Sequence, residues 1–342
     1  MKASLDAKET SYTGNSGMME LREAISQHFE KRYGVHYDPK DEILVTVGVS
    51  EGLAMALLAI TEPGDEVIIP DPAYVAYPAS VELAGGTPVF VPTYPEHDFK
   101  LTVEALEKVI TPKTKAIVIG YPNNPTGTVM SAEELMPIAK FAEEHDLIVL
   151  SDEIYCELMY GDAKFTSFAK LPGMRERTVI FNGFSKAYAM TGMRLGYVCA
   201  PREGLAPILK LHQYAIMCAN TTAQVGGITA LKECDDDVEA MRQEYDRRRK
   251  VIYKGLCDMG LPVFEPKGAF YIFPDIRCTG MTSAEFCEKL VQEEKVAVVP
   301  GTAFGAQGEG FVRISYAASM DTIQEALKRM ARFVEKYKVV SD

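Results

Sequence analysis

Short apolar runs alternate with longer amphipathic runs along the first two thirds of the chain. The apolar runs are rich in β-branched residues, which is typical of strands that are buried on both faces. They are Ile43–Val47, Glu66–Ile69, Pro88–Val91, Lys115–Ile119, Leu147–Leu150, Thr178–Phe181 and Leu195–Cys199. Helices are predicted between most of them, for example over Ser50–Ile60, Tyr74–Ala84 and Ser131–His145. The alternation predicts an α/β fold in which helices cover both faces of a sheet.

The pattern changes at about residue 235. A charged run from Asp236 to Lys250 predicts a long helix, and shorter elements follow it. These are strands at Ala269–Phe273, Val296–Val299 and Phe311–Ser315, a helix at Ser283–Glu294 and a last helix from Met320. We therefore predict a large domain over residues 1–235 and a smaller α+β domain over residues 236–342, joined by the long helix.

Composition narrows the classes of protein that the chain can represent. Of its 342 residues 47% are apolar and 25% are charged, and the net charge is −12. A strongly negative balance argues against a broad surface for nucleic acid or for anionic membranes. Its seven cysteines form no CxxC pair and its five histidines have no ligand-like spacing. We expect reduced thiols, no metal site, no membrane segment or signal peptide, and a cytoplasmic location.

Polar residues with useful chemistry follow several predicted strands. In α/β sheets ligands collect beyond the carboxyl ends of the strands, so these residues are expected to meet. A turn at Gly48–Gly52 opens a helix and suits a phosphate, although an ordinary strand–helix turn would look the same. Tyr74 could stack on a flat ring or belong to the core. Asn124, in a proline-rich loop, could donate from its amide or could serve a structural turn.

Charged residues follow the next strands along the chain. Asp152 could cap a helix, or it could be a buried carboxylate, which needs a cationic partner such as a protonated pyridine nitrogen. Tyr155 lies three residues later and could reach the same site. Lys186, in a loop with glycine and serine, is a candidate Schiff-base nucleophile. Arg194 could anchor a phosphate through its planar guanidinium.

Taken in order, these segments resemble a known family of enzymes. The segments Tyr121–Gly127, Ser151–Tyr155 and Asn182–Gly196 look like signature blocks of class I/II aminotransferases, which depend on pyridoxal phosphate (PLP) and have fold type I. The nearest branch is the bacterial and archaeal aspartate or aromatic aminotransferases. The segments Pro266–Tyr271, Val299–Gly305 and Phe311–Ser315 are similar to blocks of the family's small domain. The resemblance implies a mostly parallel, seven-stranded sheet between helices, plus a smaller α+β C-terminal domain.

The resemblance also implies roles for the residues around the cofactor ring. Lys186 would carry PLP as a Schiff base and move a proton at the substrate's Cα. Asp152 would pair with the ring nitrogen, which keeps the ring an electron acceptor. Tyr155 and Asn124 would hydrogen-bond the ring's 3-oxygen, with Asn124 also beside the substrate. Tyr74 would stack on the ring.

Further residues match the family's groups for the phosphate and the substrate. Val49 and Ser50 would bind the phosphate through their amides and the serine hydroxyl, together with Arg194. Arg313 would bind the substrate's α-carboxylate with two hydrogen bonds. Tyr12 resembles a tyrosine that reaches the phosphate of the neighbouring subunit, which implies a homodimer.

The activity expected from the resemblance is transamination. The enzyme would move an amino group from an L-amino acid, aspartate or aromatic, to a 2-oxo acid such as 2-oxoglutarate. Family members usually carry a further segment ahead of the Tyr12 block, which this chain is expected to lack. Alternatives are a PLP-dependent C–S β-lyase and a truncated, non-catalytic protein with the PLP fold. A nicotinamide dehydrogenase is disfavoured because the first strand is not followed by GxGxxG.

Overall fold

A seven-stranded sheet forms the centre of the protein in the computed structural model, which describes residues 1–339. Its strands are β1 (Ile43–Thr46), β2 (Glu66–Asp71), β3 (Thr87–Pro92), β4 (Thr114–Ile119), β5 (Ile148–Asp152), β6 (Thr178–Gly183) and β7 (Gly196–Cys199). They lie in the order β3-β2-β4-β5-β6-β7-β1. β7 runs antiparallel to both of its neighbours, and the other pairs are parallel. The prediction of a mostly parallel sheet is confirmed.

Helices cover both faces of this sheet. They are α1 (Lys2–Asp6), α2 (Met19–Tyr33), α3 (Gly48–Ile60), α4 (Ala76–Leu83), α5 (Val103–Leu106), α6 (Ala132–Glu144), α7 (Arg202–Ala215) and α8 (Thr221–Glu233). Alternate residues of one strand belong to different cores: Val67 and Ile69 pack in the cluster with α3, and Ile68 packs in the cluster with α6. Burial on both faces explains why the strands are apolar throughout. Among the helices within residues 1–339, none is long and apolar enough to cross a membrane.

Local sequence explains where α6 begins. The Ser131 hydroxyl accepts a hydrogen bond from the Glu134 amide at 3.3 Å, and the Glu134 carboxylate accepts one from the Ser131 amide at 2.8 Å. This reciprocal pair is a capping box, which satisfies two amides that the first turn of a helix leaves without partners. The helix predicted from the Ser-Ala-Glu-Glu pattern is therefore present, with Ser131 as its N-cap.

The C-terminal part is built around a small antiparallel sheet. It comprises α9 (Asp235–Asp258), β8 (Tyr271–Ile272), α10 (Ser283–Glu294), β9 (Val299–Pro300), β10 (Val312–Ser315) and α11 (Met320–Tyr337). The strand order is β8-β10-β9. These elements share a core with Ile154, Tyr155 and Leu158, which follow β5 of the large sheet. The boundary predicted after residue 235 stays a prediction. Along the chain, all strands of the large sheet come before it and all strands of the small sheet come after it.

Two strands of the small sheet, β8 and β9, are only two residues long and much shorter than the sequence predicts. The run predicted as Ala269–Phe273 keeps only two strand residues, because Ala269 has a left-handed φ of 57° and its amide donates to the Leu158 carbonyl. The run at Val296–Val299 contributes only its last residue to β9. Lys295 ends α10 with a φ of 58°, so the chain turns where the strand was expected to begin. In both places a tertiary contact or a helix end overrides β propensity.

We predict that buried side chains of the seven-stranded sheet contribute most to the free energy of unfolding. Phe181 in β6 is fully buried, and Phe90 in β3 is 45% exposed. Replacing a buried phenylalanine by alanine leaves a cavity, so Phe181→Ala should lower the free energy of unfolding by about 3–5 kcal/mol. The control Phe90→Ala should lower it by less than about 1 kcal/mol. Urea denaturation followed by far-UV circular dichroism measures both, and equal effects would contradict this description of the core.

Candidate active site

A cavity of about 230 Å³ opens at the carboxyl ends of the central strands, between the large sheet and the C-terminal elements. Nine of the ten site residues predicted from the sequence line it. They are Val49, Ser50, Tyr74, Asn124, Asp152, Tyr155, Lys186, Arg194 and Arg313. The amine of Lys186 and the carboxylate of Asp152 therefore face one common space, which is the geometry that a PLP enzyme requires.

Asp152 provides a buried negative charge at the end of β5. Its side chain accepts hydrogen bonds from the Tyr77 hydroxyl at 2.7 Å and from the Ile154 amide at 3.2 Å. Burial raises the pKa of the carboxyl, while these donors and the positive charge of Lys186 oppose the rise. A buried carboxylate whose charge is incompletely compensated favours a cationic partner.

Sequence reasoning did not identify Tyr77, although it makes the shortest contact with Asp152. Tyr77 lies in α4, three residues after Tyr74, and the two rings meet edge to face with centroids 5.6 Å apart. In the helix predicted over Tyr74–Ala84 a spacing of three residues would bring both side chains to one side, but α4 begins only at Ala76 and Tyr74 precedes it. The spacing alone does not indicate that Tyr77 reaches Asp152, because the path of α4 past the end of β5 depends on tertiary packing.

Lys186 follows β6 and carries an amine with reduced basicity. Burial lowers the pKa of the amine, the charges of Arg194 and Arg313 lower it further, and Asp152 acts in the opposite direction. The Nζ atom lies 5.6 Å from the ring centroid of Tyr155. A lowered pKa increases the fraction of neutral amine near pH 7, which is the nucleophilic form.

The first turn of α3 and the Arg194 side chain form a cradle for an anion. α3 begins at Gly48, and Val49 and Ser50 lie in its first turn, where backbone N–H groups have no partner within the helix. Gly48 has a φ of 76°, and a Cβ there would lie 2.6 Å from Nη2 of Arg194. The backbone conformation therefore favours glycine, and a Cβ at this position would push the Arg194 guanidinium away from the first turn of α3.

Arg313, on β10, lies at another wall of the cavity. Its Nη1 donates to the Asn124 side-chain oxygen at 2.9 Å. Its guanidinium carbon is 4.6 Å from the ring centroids of both Tyr271 and Phe304. Among the contacts within residues 1–339, its Nε is buried and has no hydrogen-bond partner. A half-buried guanidinium with an unused donor suits a carboxylate ligand.

Tyr12 is the one predicted site residue that does not line the cavity. It lies ahead of α2 and its side chain is 81% exposed. The neighbouring backbone is held in place, because Thr221 donates to the Ser11 carbonyl at 2.7 Å and Gln224 donates to the Thr13 hydroxyl at 3.1 Å. Contact between Tyr12 and a neighbouring subunit stays a prediction.

The residues of the cavity fit pyridoxal phosphate. One space contains an anion cradle in which the Arg194 guanidinium lies against Gly48, a buried carboxylate that favours a cation, and an amine of lowered pKa. These groups match the phosphate, the pyridine nitrogen and the aldehyde of that cofactor. The fold and the site together define a PLP-dependent enzyme of fold type I.

Comparison with known proteins identifies the family. The family profile described as "Aminotransferase class I and II" matches residues 1–330. The chain is 53% identical over 333 residues to the "Putative aminotransferase YugH" of Bacillus subtilis, covering 97% of this chain and 86% of that protein. It is 50% identical over 340 residues to an aspartate aminotransferase of Pyrococcus abyssi, covering 99% and 87%. The crystal structure of an aromatic aminotransferase from Pyrococcus horikoshii OT3 matches with a TM-score of 0.96 at 50% identity, covering 98% and 90%.

The chain belongs to the class I and II aminotransferase family. It is a PLP-dependent transaminase, as the sequence predicted.

We predict that Tyr77 keeps Asp152 charged. The Tyr77 hydrogen bond lowers the pKa of Asp152, so Tyr77→Phe should raise that pKa and allow protonation at a higher pH. PLP should then bind more weakly, by roughly tenfold, and the deficit should grow as the pH falls. Fluorescence titration of the apoenzyme with PLP between pH 5 and pH 8 measures this. Tyr94→Phe, at an exposed tyrosine after β3, is the control, and a pH-independent deficit would contradict the prediction.

Proposed function

We propose that this transaminase moves an amino group from aspartate or an aromatic L-amino acid to a 2-oxo acid such as 2-oxoglutarate. The observation that carries the proposal is the meeting of Lys186, Asp152 and Arg313 in one cavity. The choice of amino donor is supported by relatives that are about half identical to this chain and are named as aspartate or aromatic aminotransferases.

Proton transfer at the substrate's Cα is assigned to Lys186. When bound, PLP supplies an electron-accepting ring that delocalises the negative charge left when Cα loses its proton. The lowered pKa of Lys186 increases the fraction of neutral amine that could accept that proton and return it. Asp152 is placed to hold the ring nitrogen in its protonated form, because burial makes an ion pair there favourable.

Aromatic and amide groups are proposed to fix the orientation of the ring. Tyr155 and Asn124 would donate hydrogen bonds to the 3-oxygen. Tyr74, at the cavity wall, would stack against the ring. Fixing the ring limits which bond at Cα is aligned for cleavage, and this orientation favours transfer of the amino group over side reactions.

The two anionic groups of the reaction would each meet a guanidinium. The phosphate would be held by the amides of Val49 and Ser50, the Ser50 hydroxyl and Arg194. The substrate's α-carboxylate would be held by Arg313, whose unpartnered Nε and planar shape suit two parallel hydrogen bonds, with Asn124 beside it. Separate sites for the two anions would fix the orientation of the substrate relative to the ring.

A lysine substitution tests the proposed function. Purified protein should absorb visible light through the lysine-bound cofactor, and Lys186→Ala should remove that band and lower turnover by roughly 10⁴-fold. Lys140→Ala, at an exposed lysine of α6, should change neither.

A panel of amino donors with 2-oxoglutarate then assigns the substrate. Turnover with aspartate or aromatic donors supports the proposal. Release of pyruvate and ammonia without a 2-oxo acid would instead favour a C–S β-lyase, and absence of turnover despite bound cofactor would indicate a non-catalytic protein.

A homodimer with shared active sites is also proposed. Several large side chains near the Tyr12 segment are exposed, namely Tyr12 at 81%, Tyr214 at 82% and Met217 at 47%. The segments that carry them are tied together, because Asn15 donates to the Met217 carbonyl at 2.9 Å. Exposed apolar surface of this kind is typical of an interface between subunits. In that dimer Tyr12 would reach the phosphate of the partner subunit.

Subunit mixing tests the shared site. Lys186→Ala and Tyr12→Ala chains should each be weakly active alone. Unfolded together and refolded, they should recover up to about a quarter of wild-type activity, since half of the dimers then carry one intact site of two. Light scattering should give twice the 37.7 kDa chain mass. A monomer, or a mixture that recovers nothing, would refute the proposal.

The remaining proposals concern organisation and location. A large domain over residues 1–235 and a small domain over 236–342 are supported by the core that the C-terminal elements form, which only a short stretch after β5 joins from the large part. A cytoplasmic location is supported by the cysteines, since all seven are free thiols.

A further inference from the structure

Tyr271 touches two residues to which different tasks have been assigned. Its hydroxyl oxygen lies 2.9 Å from that of Tyr155, which is proposed to hold the cofactor's 3-oxygen. The face of its ring lies 4.6 Å from the guanidinium carbon of Arg313, which is proposed to hold the substrate's carboxylate. The side chain is 7% exposed and lines the cavity.

We propose that Tyr271 is a positioning residue that serves both groups through different parts of its side chain. The hydroxyl strengthens Tyr155 as a hydrogen-bond donor, and the ring holds the plane of Arg313. This inference rests on the proposed function, and it adds a residue to which sequence reasoning gave no role.

The hydrogen bond between the Tyr155 and Tyr271 hydroxyls could run in either direction, but the cofactor's 3-oxygen would decide which of them donates. Burial raises the pKa of both phenols, so both keep their protons at neutral pH. Tyr155 has one proton, and it cannot donate that proton to Tyr271 and to the 3-oxygen at once. Tyr271 is therefore the donor to Tyr155 when Tyr155 donates to the cofactor. Accepting a hydrogen bond polarises a hydroxyl and makes it a stronger donor.

The ring contact is fixed by the small sheet. Tyr271 in β8 pairs with Ser315 of β10, and Arg313 lies two residues before Ser315. Such diagonal neighbours point to the same face of an antiparallel pair and are within reach of long side chains. Phe304 packs against the guanidinium at the same distance of 4.6 Å. Two aromatic rings at the guanidinium leave its in-plane N–H groups to bind a carboxylate.

Substitutions that separate the hydroxyl from the ring test the inference. Tyr271→Phe keeps the ring and removes the hydroxyl. The pH midpoint of the cofactor's visible absorbance should rise by about 0.5 to 1, because a weaker donor stabilises the ionised 3-oxygen less. The KM values for amino acid and 2-oxo acid should stay within about twofold, because the aromatic face beside Arg313 remains.

Phe304→Leu is the matched counterpart, since it removes one aromatic face from Arg313 and leaves both tyrosine hydroxyls. It should raise both KM values by roughly three- to tenfold and leave the pH midpoint unchanged. Tyr271→Leu should show both effects. If these residues only supported the fold, the pH midpoint and the KM values would change together in every variant.

The outcomes separate this inference from the proposed function. If the wild-type band is absent, or persists in Lys186→Ala, the proposed function fails and this inference fails with it. If the wild-type band titrates but Tyr271→Phe leaves its midpoint unchanged, or if Tyr271→Phe and Phe304→Leu change the same parameter, the role of Tyr271 alone is overturned.

Discussion

The site depends on one interaction, the burial of the Asp152 carboxylate at the end of β5. Removing a charge from water is costly, and the Tyr77 hydroxyl and the Ile154 amide offset only part of that cost, since the pKa of the carboxyl remains raised. The part of the cost that these donors do not offset favours a protonated heterocycle beside Asp152 in the cavity. Burial lowers the pKa of the nearby Lys186 amine, whereas it raises the pKa of the Asp152 carboxyl. Burial therefore disfavours the charged forms of both groups, and a protonated pyridine nitrogen beside Asp152 would compensate the carboxylate's charge.

Much of the fold was predictable because its signals are local. Apolar runs such as Thr178–Phe181 are buried from both sides, and the start of α6 is encoded by the Ser131 and Glu134 pair. The residues at strand ends were predictable for the same reason, since parallel strands bring their carboxyl ends to one edge of the sheet. Asp152 ends β5 and Lys186 follows the neighbouring strand β6, so the two residues line one cavity although they are separated along the chain.

The residues that sequence reasoning missed depend on contacts between distant segments. Tyr271 meets Tyr155 across 116 positions of the chain, and nothing in the spacing of either residue indicates the other. Phe304 reaches Arg313 from a turn that follows the very short strand β9. The left-handed backbone at Ala269, which shortens β8, is likewise set by a hydrogen bond to Leu158 in the other part of the molecule. Local propensity contains no information about such partners.

The C-terminal core extends into the chain just after β5, and this has a mechanical consequence. Tyr155 packs in that core with the neighbours of Arg313, whereas Asp152, three residues earlier, is the last residue of strand β5 in the large sheet. The short stretch from Asp152 to Tyr155 therefore ties the large sheet to the C-terminal core, and the Arg313–Asn124 hydrogen bond ties the two parts together again across the cavity.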